Sequence, residues 1–191
     1  MTMRCSICAL CLLLTGLLPI SSMARSTGHG YVIEVLKSRK ILLVKQGDKV
    51  VRRYRTAVGR GGRGDKQRSG DHKTPIGTYR VVRFNDNSRF RLFMQLNYPN
   101  IKDAFYGLKK HLIDRQEFDR IVTALKQGRT PPQNTPLGGA IGIHGLGAEN
   151  RKRLRIHENY NWTEGCIALT NKEIMDLKKY VHIGTKVVIN Q

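Results

Sequence analysis

Two short segments put a reactive side chain beside glycine: Ile141-Gly-Ile-His-Gly145 and Trp162-Thr-Glu-Gly-Cys-Ile167. A cysteine attacks as its thiolate, and an imidazole is the usual base that makes one at neutral pH. Glycine next to each group permits unusual backbone angles and close approach of a substrate. The chemistry this suggests is acyl transfer, with Cys166 as nucleophile and His144 as base. The charge of a tetrahedral intermediate would need preorganised donors. The backbone N–H groups of Gly165 and Cys166 are the natural oxyanion hole, because the turn that follows leads toward a helix. Spacing alone does not single out His144. His29, His72, His111, His157 and Glu164 are also candidate bases, and each taken singly has a structural or solvated alternative.

Cysteine use sharpens the first half of the pair. Of four cysteines, Cys5, Cys8 and Cys11 fall in an N-terminal segment where Arg4 precedes an apolar run from about Ile7 to Ile20, and Ser22-Met23-Ala24 follows with small residues. This reads as a secretory signal cleaved after Ala24; the apolar run is short of the ~20 residues a membrane span needs. Residues 25–30 read as a flexible leader and 31–191 as one domain. The expected location is the periplasm or cell envelope, with no transmembrane anchor after cleavage. Export leaves Cys166 unpaired, and an unpaired thiol in an oxidising compartment is a liability unless it reacts. A small buried residue is the alternative. The formal charge is +20. Such a field favours anionic partners; export argues against nucleic acid and toward wall peptides bearing free carboxylates. A solvated basic surface would give the same composition.

The elements that must position these residues are mostly strands. Residues 31–36, 40–45 and 50–58 read as a meander, with a turn at 46–49. Residues 59–70 are rich in Gly and Arg but lack the spacing of a phosphate-binding motif, so they read as a mobile surface loop. Strands are expected at 78–84, 91–97, 140–144 and 185–190. Phe118, Ile121, Val122 and Leu125 fall at helical spacing, which predicts a helix over 114–127 with its apolar face on the sheet. Residues 151–162 read as a loop or short helix. Thr170 and Glu173 form a capping box for a helix running to about Tyr180. The fold class is mostly β or α+β, antiparallel-rich, with a mid-chain helix and a helix after the cysteine.

The two glycine-flanked segments together carry a resemblance. Ile143-His144-Gly145, followed after a fixed interval by Thr163-Glu164-Gly165-Cys166-Ile167, resembles the signature of the YkuD-type L,D-transpeptidases. His72-Lys-Thr-Pro-Ile-Gly-Thr-Tyr79 is similar to that family's upstream Thr-Pro-x-Gly turn, and the run at 131–139 is similar to exported members. The resemblance implies a YkuD-like domain and a thioester on Cys166, formed from the tetrapeptide stem of peptidoglycan with release of D-alanine. His144 would be proton acceptor and donor, oriented by the Gly145 carbonyl. An amine on a second stem would resolve the thioester into a 3→3 crosslink, and water would make the enzyme an L,D-carboxypeptidase or amidase-type hydrolase. No metal or organic cofactor is implied, and carbapenem-type inhibitors are. Trp162, Thr163 and Arg155 are the expected substrate contacts, with Arg151, Lys152 and Arg153 as further receptors for carboxylates; Tyr106 and the helix after it could form a lid. Two positions depart from the family pattern. Glu164 stands where histidine is common, and Ala168 where Arg or Asn is usual. A carboxylate beside a thiol disfavours thiolate unless it is turned away or paired. The departures also admit a non-catalytic, basic wall-binding protein.

Overall fold

A computed structural model describes residues 30–191. The expected signal segment, nearly all of the leader, three of the cysteines and His29 lie outside the described residues. The chain begins with a meander of β1 (Tyr31–Leu36), β2 (Ile41–Gln46) and β3 (Lys49–Arg55). Then come β4 (Gly77–Asn85), β5 (Phe93–Leu96), α1 (Ile101–Lys109) and α2 (Arg115–Lys126). The last third holds β6 (Gly142–His144), α3 (Arg151–Asn159), β7 (Ile167–Ala168), α4 (Asn171–Leu177), a 3-10 turn at Lys178–Tyr180 and β8 (Lys186–Asn190).

The strands form one eight-stranded mixed sheet in the order β3-β2-β1-β8-β4-β5-β6-β7. The β1–β8 and β6–β7 pairs are parallel and the other pairs antiparallel. Strand β4 joins two halves: Gly77–Arg80 pair with β8, and the residues from Val81 onward pair with β5 after a register shift. Beyond β3, Ala57 bridges Ala168 of β7. Two backbone bonds of 3.1 and 2.8 Å make that bridge, and the Thr56 hydroxyl adds a third to the Ala168 carbonyl at 2.8 Å. The two edges of the sheet therefore meet, which curls it and shields edges that would otherwise be open to pairing.

Alternation explains the core. Ile33 and Val35 of β1, Leu42 and Val44 of β2, and Val187 and Ile189 of β8 are all fully buried on the inner face. Leu169, Ile174 and Leu177 seal it from the α4 side. A second, smaller cluster of Ala104, Ile113, Ile121 and Leu137 lies under α1 and α2. Helix α2 matches its apolar spacing, with Asp114 as N-cap, but its apolar face packs against α1 in this second cluster and not on the sheet as expected. Helix α1 was not expected. Its capping box is present in sequence: the Asn100 side chain accepts from the Asp103 N–H, and the Asp103 carboxylate accepts from the Asn100 N–H. The helix sequence also carries an apolar stripe, Ile101, Ala104, Phe105 and Leu108, of which Ile101 and Phe105 stay exposed. Residues 151–159, left open between loop and helix, are helical.

The segment between β3 and β4 corrects another expectation. It carries no strand, yet it is tied down at several points. Lys37, buried at the end of β1, donates to the carbonyls of Gly64 and Thr74, both at 2.6 Å. Burial pushes its ammonium down to about 8. Lys66 is paired with Asp71 at 2.7 Å, and Asp71 also accepts from the N–H groups of Gln67, Arg68 and Lys73. Charge-assisted bonds to a partly buried carboxylate hold a loop far better than Gly content suggests.

Candidate active site

The register of β6 and β7 brings the two candidate groups together. His144 is the partner of Ala168, and Ile143 of Ile167. Side chains alternate along a strand, so Cys166, two residues before Ala168, shares a face with His144 on the neighbouring strand. Both line one cavity of about 940 Å³. Its walls include Lys66 and His72 from the pinned segment, Phe90 and Phe93 from around β5, and Trp162.

His144 is 2% exposed, and its Nδ1 lies 2.7 Å from the Gly145 carbonyl oxygen. A carbonyl only accepts, so Nδ1 carries the ring proton and Nε2 keeps its lone pair. Burial pushes the imidazole down to about 4, against the opposing effect of the Gly145 bond. The ring packs on Phe90, centroid to centroid 4.2 Å, and meets Trp162 edge-on at 5.9 Å. The loop behind it is clamped by Asn171 at the start of α4. That side chain accepts from the N–H groups of Leu146 (2.9 Å) and Gly147 (3.0 Å) and donates to the Gly147 carbonyl (2.7 Å). A Cβ on Gly145 would lie 2.7 Å from the Asn171 Oδ1, so only glycine fits between clamp and imidazole.

Cys166 sits after a tight turn. The buried Thr163 hydroxyl donates to the Cys166 carbonyl at 2.6 Å and accepts from the Gly165 N–H at 3.2 Å. Gly165 has φ +131°, and a Cβ there would meet the Lys73 carbonyl oxygen at 2.8 Å. The Cys166 residue is partly exposed, and its thiol donates to the Ala140 carbonyl at 3.4 Å. Desolvation pushes the thiol up to about 11; a backbone bond from Gly142 and the Lys66 charge pull the other way, and Glu164 adds to the rise. The resting site thus holds a neutral thiol and a neutral imidazole on the wall of one cavity. A group of this kind can deliver a sulfur nucleophile if the proton passes to Nε2 as the bond to substrate forms.

The remaining expected site residues divide. Trp162 lines the cavity. Thr163 reaches its wall, but the hydroxyl is committed to the turn, so its role is to shape the loop rather than to touch substrate. The Gly165 N–H is likewise already bonded to Thr163. Arg155 is exposed on α3 and does not line the cavity, whereas Arg153 does, its Nη1 held by the carbonyls of Leu146 (3.1 Å) and Ala148 (3.0 Å). Arg151 and Lys152 are also off the lining. No described residue of α1 or α2 lines it, so the lid suggested for Tyr106 is not built there. Among the other candidate bases, His157 is buried under Trp162, whose Nε1 donates toward its Nδ1 at 3.5 Å, and His111 is exposed away from the cavity. Glu164 is paired with Arg60 at 3.3 Å and its side chain is 76% exposed, which limits its effect on the thiol. Ala168 is fully buried at the closing bridge. Lys66, Arg89, Phe90 and Asn171 were not singled out from the sequence. They reach the site from distant segments, and only the Asn after the Thr170 cap offered a local hint.

Comparison with known proteins gives one family. The model of the YkuD L,D-transpeptidase catalytic domain matches residues 30–189. No curated protein matches the chain. Among solved structures, the helical cell shape determining protein Pgp2 from Campylobacter jejuni is 23% identical with a TM-score of 0.54, covering 85% of this chain and 48% of that chain. Bd1075 of Bdellovibrio bacteriovorus is 20% identical with a TM-score of 0.53, covering 87% of this chain and 50% of that one. This chain spans about half the length of those two, and the likeness to them is one of fold.

Proposed function

The chain belongs to the YkuD family of L,D-transpeptidase catalytic domains, and from that premise we propose that it is an exported peptidoglycan L,D-transpeptidase with Cys166 as nucleophile and His144 as base. One observation carries the reading. An imidazole with its Nδ1 proton on the Gly145 carbonyl, and Nε2 therefore free, shares a cavity with a thiol on the adjacent strand.

The steps follow from the protonation states. Nε2 takes the thiol proton as Sγ attacks the carbonyl between the diaminopimelate residue and the terminal D-alanine of a donor stem. The Cys166 N–H receives the oxyanion, joined by the Gly165 N–H once it exchanges its bond to Thr163. The C–N bond breaks, the imidazolium protonates the leaving amine, and D-alanine departs from a thioester. An acceptor amine then attacks, its proton passes to Nε2, the C–S bond breaks, and the thiolate recovers that proton. Charge separation in a desolvated site is costly, so proton transfer and attack proceed together. Water that enters the cavity Cys166 lines is a competing acceptor, which gives carboxypeptidase activity at the same site. The export reading rests on the N-terminal sequence. No helix among the described residues is long and apolar enough to cross a membrane.

Incubation of the mature protein with purified disaccharide tetrapeptide tests the proposal. The expected products, read by mass, are D-alanine and 3→3 dimers. Tripeptide alone would shift the reading to hydrolysis, and unconsumed substrate would contradict both.

A further inference from the structure

Most of the charge facing the cavity is cationic: Lys66, Arg89 and Arg153 line it, and Glu164 is the one acid among the described lining residues. That acid stands two residues before the cysteine. Lys66 is already compensated by Asp71, while Arg89 and Arg153 repel any cation that approaches. An acceptor amine is an ammonium in water at neutral pH. Glu164 is itself paired with Arg60, but it is the one carboxylate among the described lining residues on which such an ammonium can settle.

Glu164 does not stand alone. Arg60 is not itself a lining residue, but its Nη2 lies 3.3 Å from the Glu164 Oε1 and also 3.3 Å from the His72 Nε2, and the His72 Nδ1 lies 4.0 Å from the same carboxylate oxygen. An arginine only donates, so the His72 Nε2 accepts and its Nδ1–H faces Glu164. The group is mounted on backbone bonds from both sides. The Arg60 N–H donates to the Thr163 carbonyl at 2.9 Å, the Gly61 N–H to the His72 carbonyl at 2.9 Å, and the Gly59 N–H to the Thr74 hydroxyl at 2.8 Å. There is no room for slack. A Cβ on Gly59 would lie 2.2 Å from the His72 carbonyl oxygen, and one on Gly61 2.1 Å from that of Asp71. His72 itself takes a left-handed backbone, φ +52°, which is uncommon for a residue with a side chain. These backbone bonds fix where the two side chains start, while the ion pair itself is exposed and adds little to stability.

We infer that Glu164 and Arg60 form an acceptor site that receives the ammonium and the carboxylate of an α-amino-acid centre, with Arg60 steadied by its bond to His72. The inference rests on the transpeptidase reading above. A guanidinium and a carboxylate side by side match the two charges that an amino-acid centre carries on one carbon. An isolated amine, such as a lysine side chain of a protein, satisfies Glu164 alone. The site therefore selects acceptors that bear a carboxylate beside the attacking nitrogen. Once the amine has shed its proton to solvent it attacks the thioester carbonyl, its second proton passes to His144, and the C–S bond breaks.

The test uses the mature protein with disaccharide tetrapeptide as donor and either glycine or ethylamine as acceptor, at equal concentrations of free amine. The readout is the ratio of amine adduct to hydrolysed tripeptide, which cancels any change in acylation. The wild type should favour glycine over ethylamine by about tenfold or more. Arg60→Gln should bring that preference close to one. Glu164→Gln should lower the adduct-to-tripeptide ratio about tenfold for both amines and raise the apparent KM for glycine. Far-UV circular dichroism checks that both exposed-site variants are folded. Equal use of the two amines by the wild type, or ratios unmoved by both substitutions, would overturn the inference. Tripeptide as the sole product at every amine concentration would also overturn it while leaving the thioester chemistry standing. Failure to release D-alanine would instead count against the transpeptidase reading itself.

Discussion

At neutral pH neither member of the proposed Cys166–His144 pair carries a charge. Burial drives the imidazole down to about 4 and the thiol up to about 11. Many reactive cysteines are instead held as thiolates by a nearby positive charge. The sign of each shift gives a pH signature. A base whose conjugate acid is depressed to about 4 is available at every pH above that value, so acylation by a carbapenem should be nearly flat from about pH 5 to 9 and fall below about 4. Alkylation by iodoacetamide needs pre-formed thiolate and gains little from the histidine. Its rate should climb about tenfold per pH unit across the same range. An alkylation rate that levels off between pH 6 and 8 would mean a standing thiolate–imidazolium pair and would contradict this picture. Glu164 fits the same logic. From sequence it is a threat to the thiolate, but its partner Arg60 comes from a segment more than a hundred positions away, and only the fold reveals the pairing.

The strands that align the pair are short, three residues in β6, which ends on His144, and two in β7, which follows Cys166, and their ends are fixed by other elements. The start of α4 does most of this. Its Thr170–Glu173 capping box satisfies the helix end, which frees the next side chain, Asn171, to clamp the loop that bears the Gly145 carbonyl. Asn171→Leu keeps the volume and removes every one of those bonds. Leaving a buried backbone group unpaired costs about 1–3 kcal/mol; of the three groups only the Leu146 N–H belongs to a buried residue, since Gly147 is half-buried and water can replace its bonds. The expected outcome is a folded protein destabilised in urea by about that much for the whole clamp, with carbapenem acylation slowed tenfold or more because the imidazole loses its support. Unchanged acylation would show that Gly145 needs no clamp. The sequence was a good guide to elements whose signals are local. The meander, α2 and α4 follow from alternation, apolar spacing and a capping box. It misled where local and tertiary signals part. Helix α1 has both a cap and an apolar stripe in its sequence, but the fold exposes Ile101 and Phe105, so the stripe is only partly used for packing. The Gly-rich segment reads as mobile, yet Lys37, Lys66 and Asp71 pin it through bonds that span the chain.

Across the whole molecule, the decisive feature is closure of the sheet. The Ala57–Ala168 bridge joins its two edges directly beside the site, so the turn bearing Cys166 is held from both flanks. Nothing in the spacing of Ala57 foretold this, nor the parallel partnership of β1 with β8 at opposite ends of the described chain. The two candidate groups, by contrast, are proposed from their glycine-flanked segments, with the family resemblance choosing His144 among the histidines. Their meeting in one cavity lined by charge from distant segments was not legible there. The formal charge of +20 suits a substrate with free carboxylates, and screening by salt should weaken that attraction over about 10 Å at 0.1 M without altering the chemistry at sulfur. That chemistry is the central claim, and intact-protein mass after exposure to a carbapenem tests it most directly. The expected result is one covalent adduct per wild-type chain, mapped to Cys166, and none on a folded Cys166→Ala variant. An adduct that persists on the alanine variant, or a wild type that stays unmodified, would contradict it.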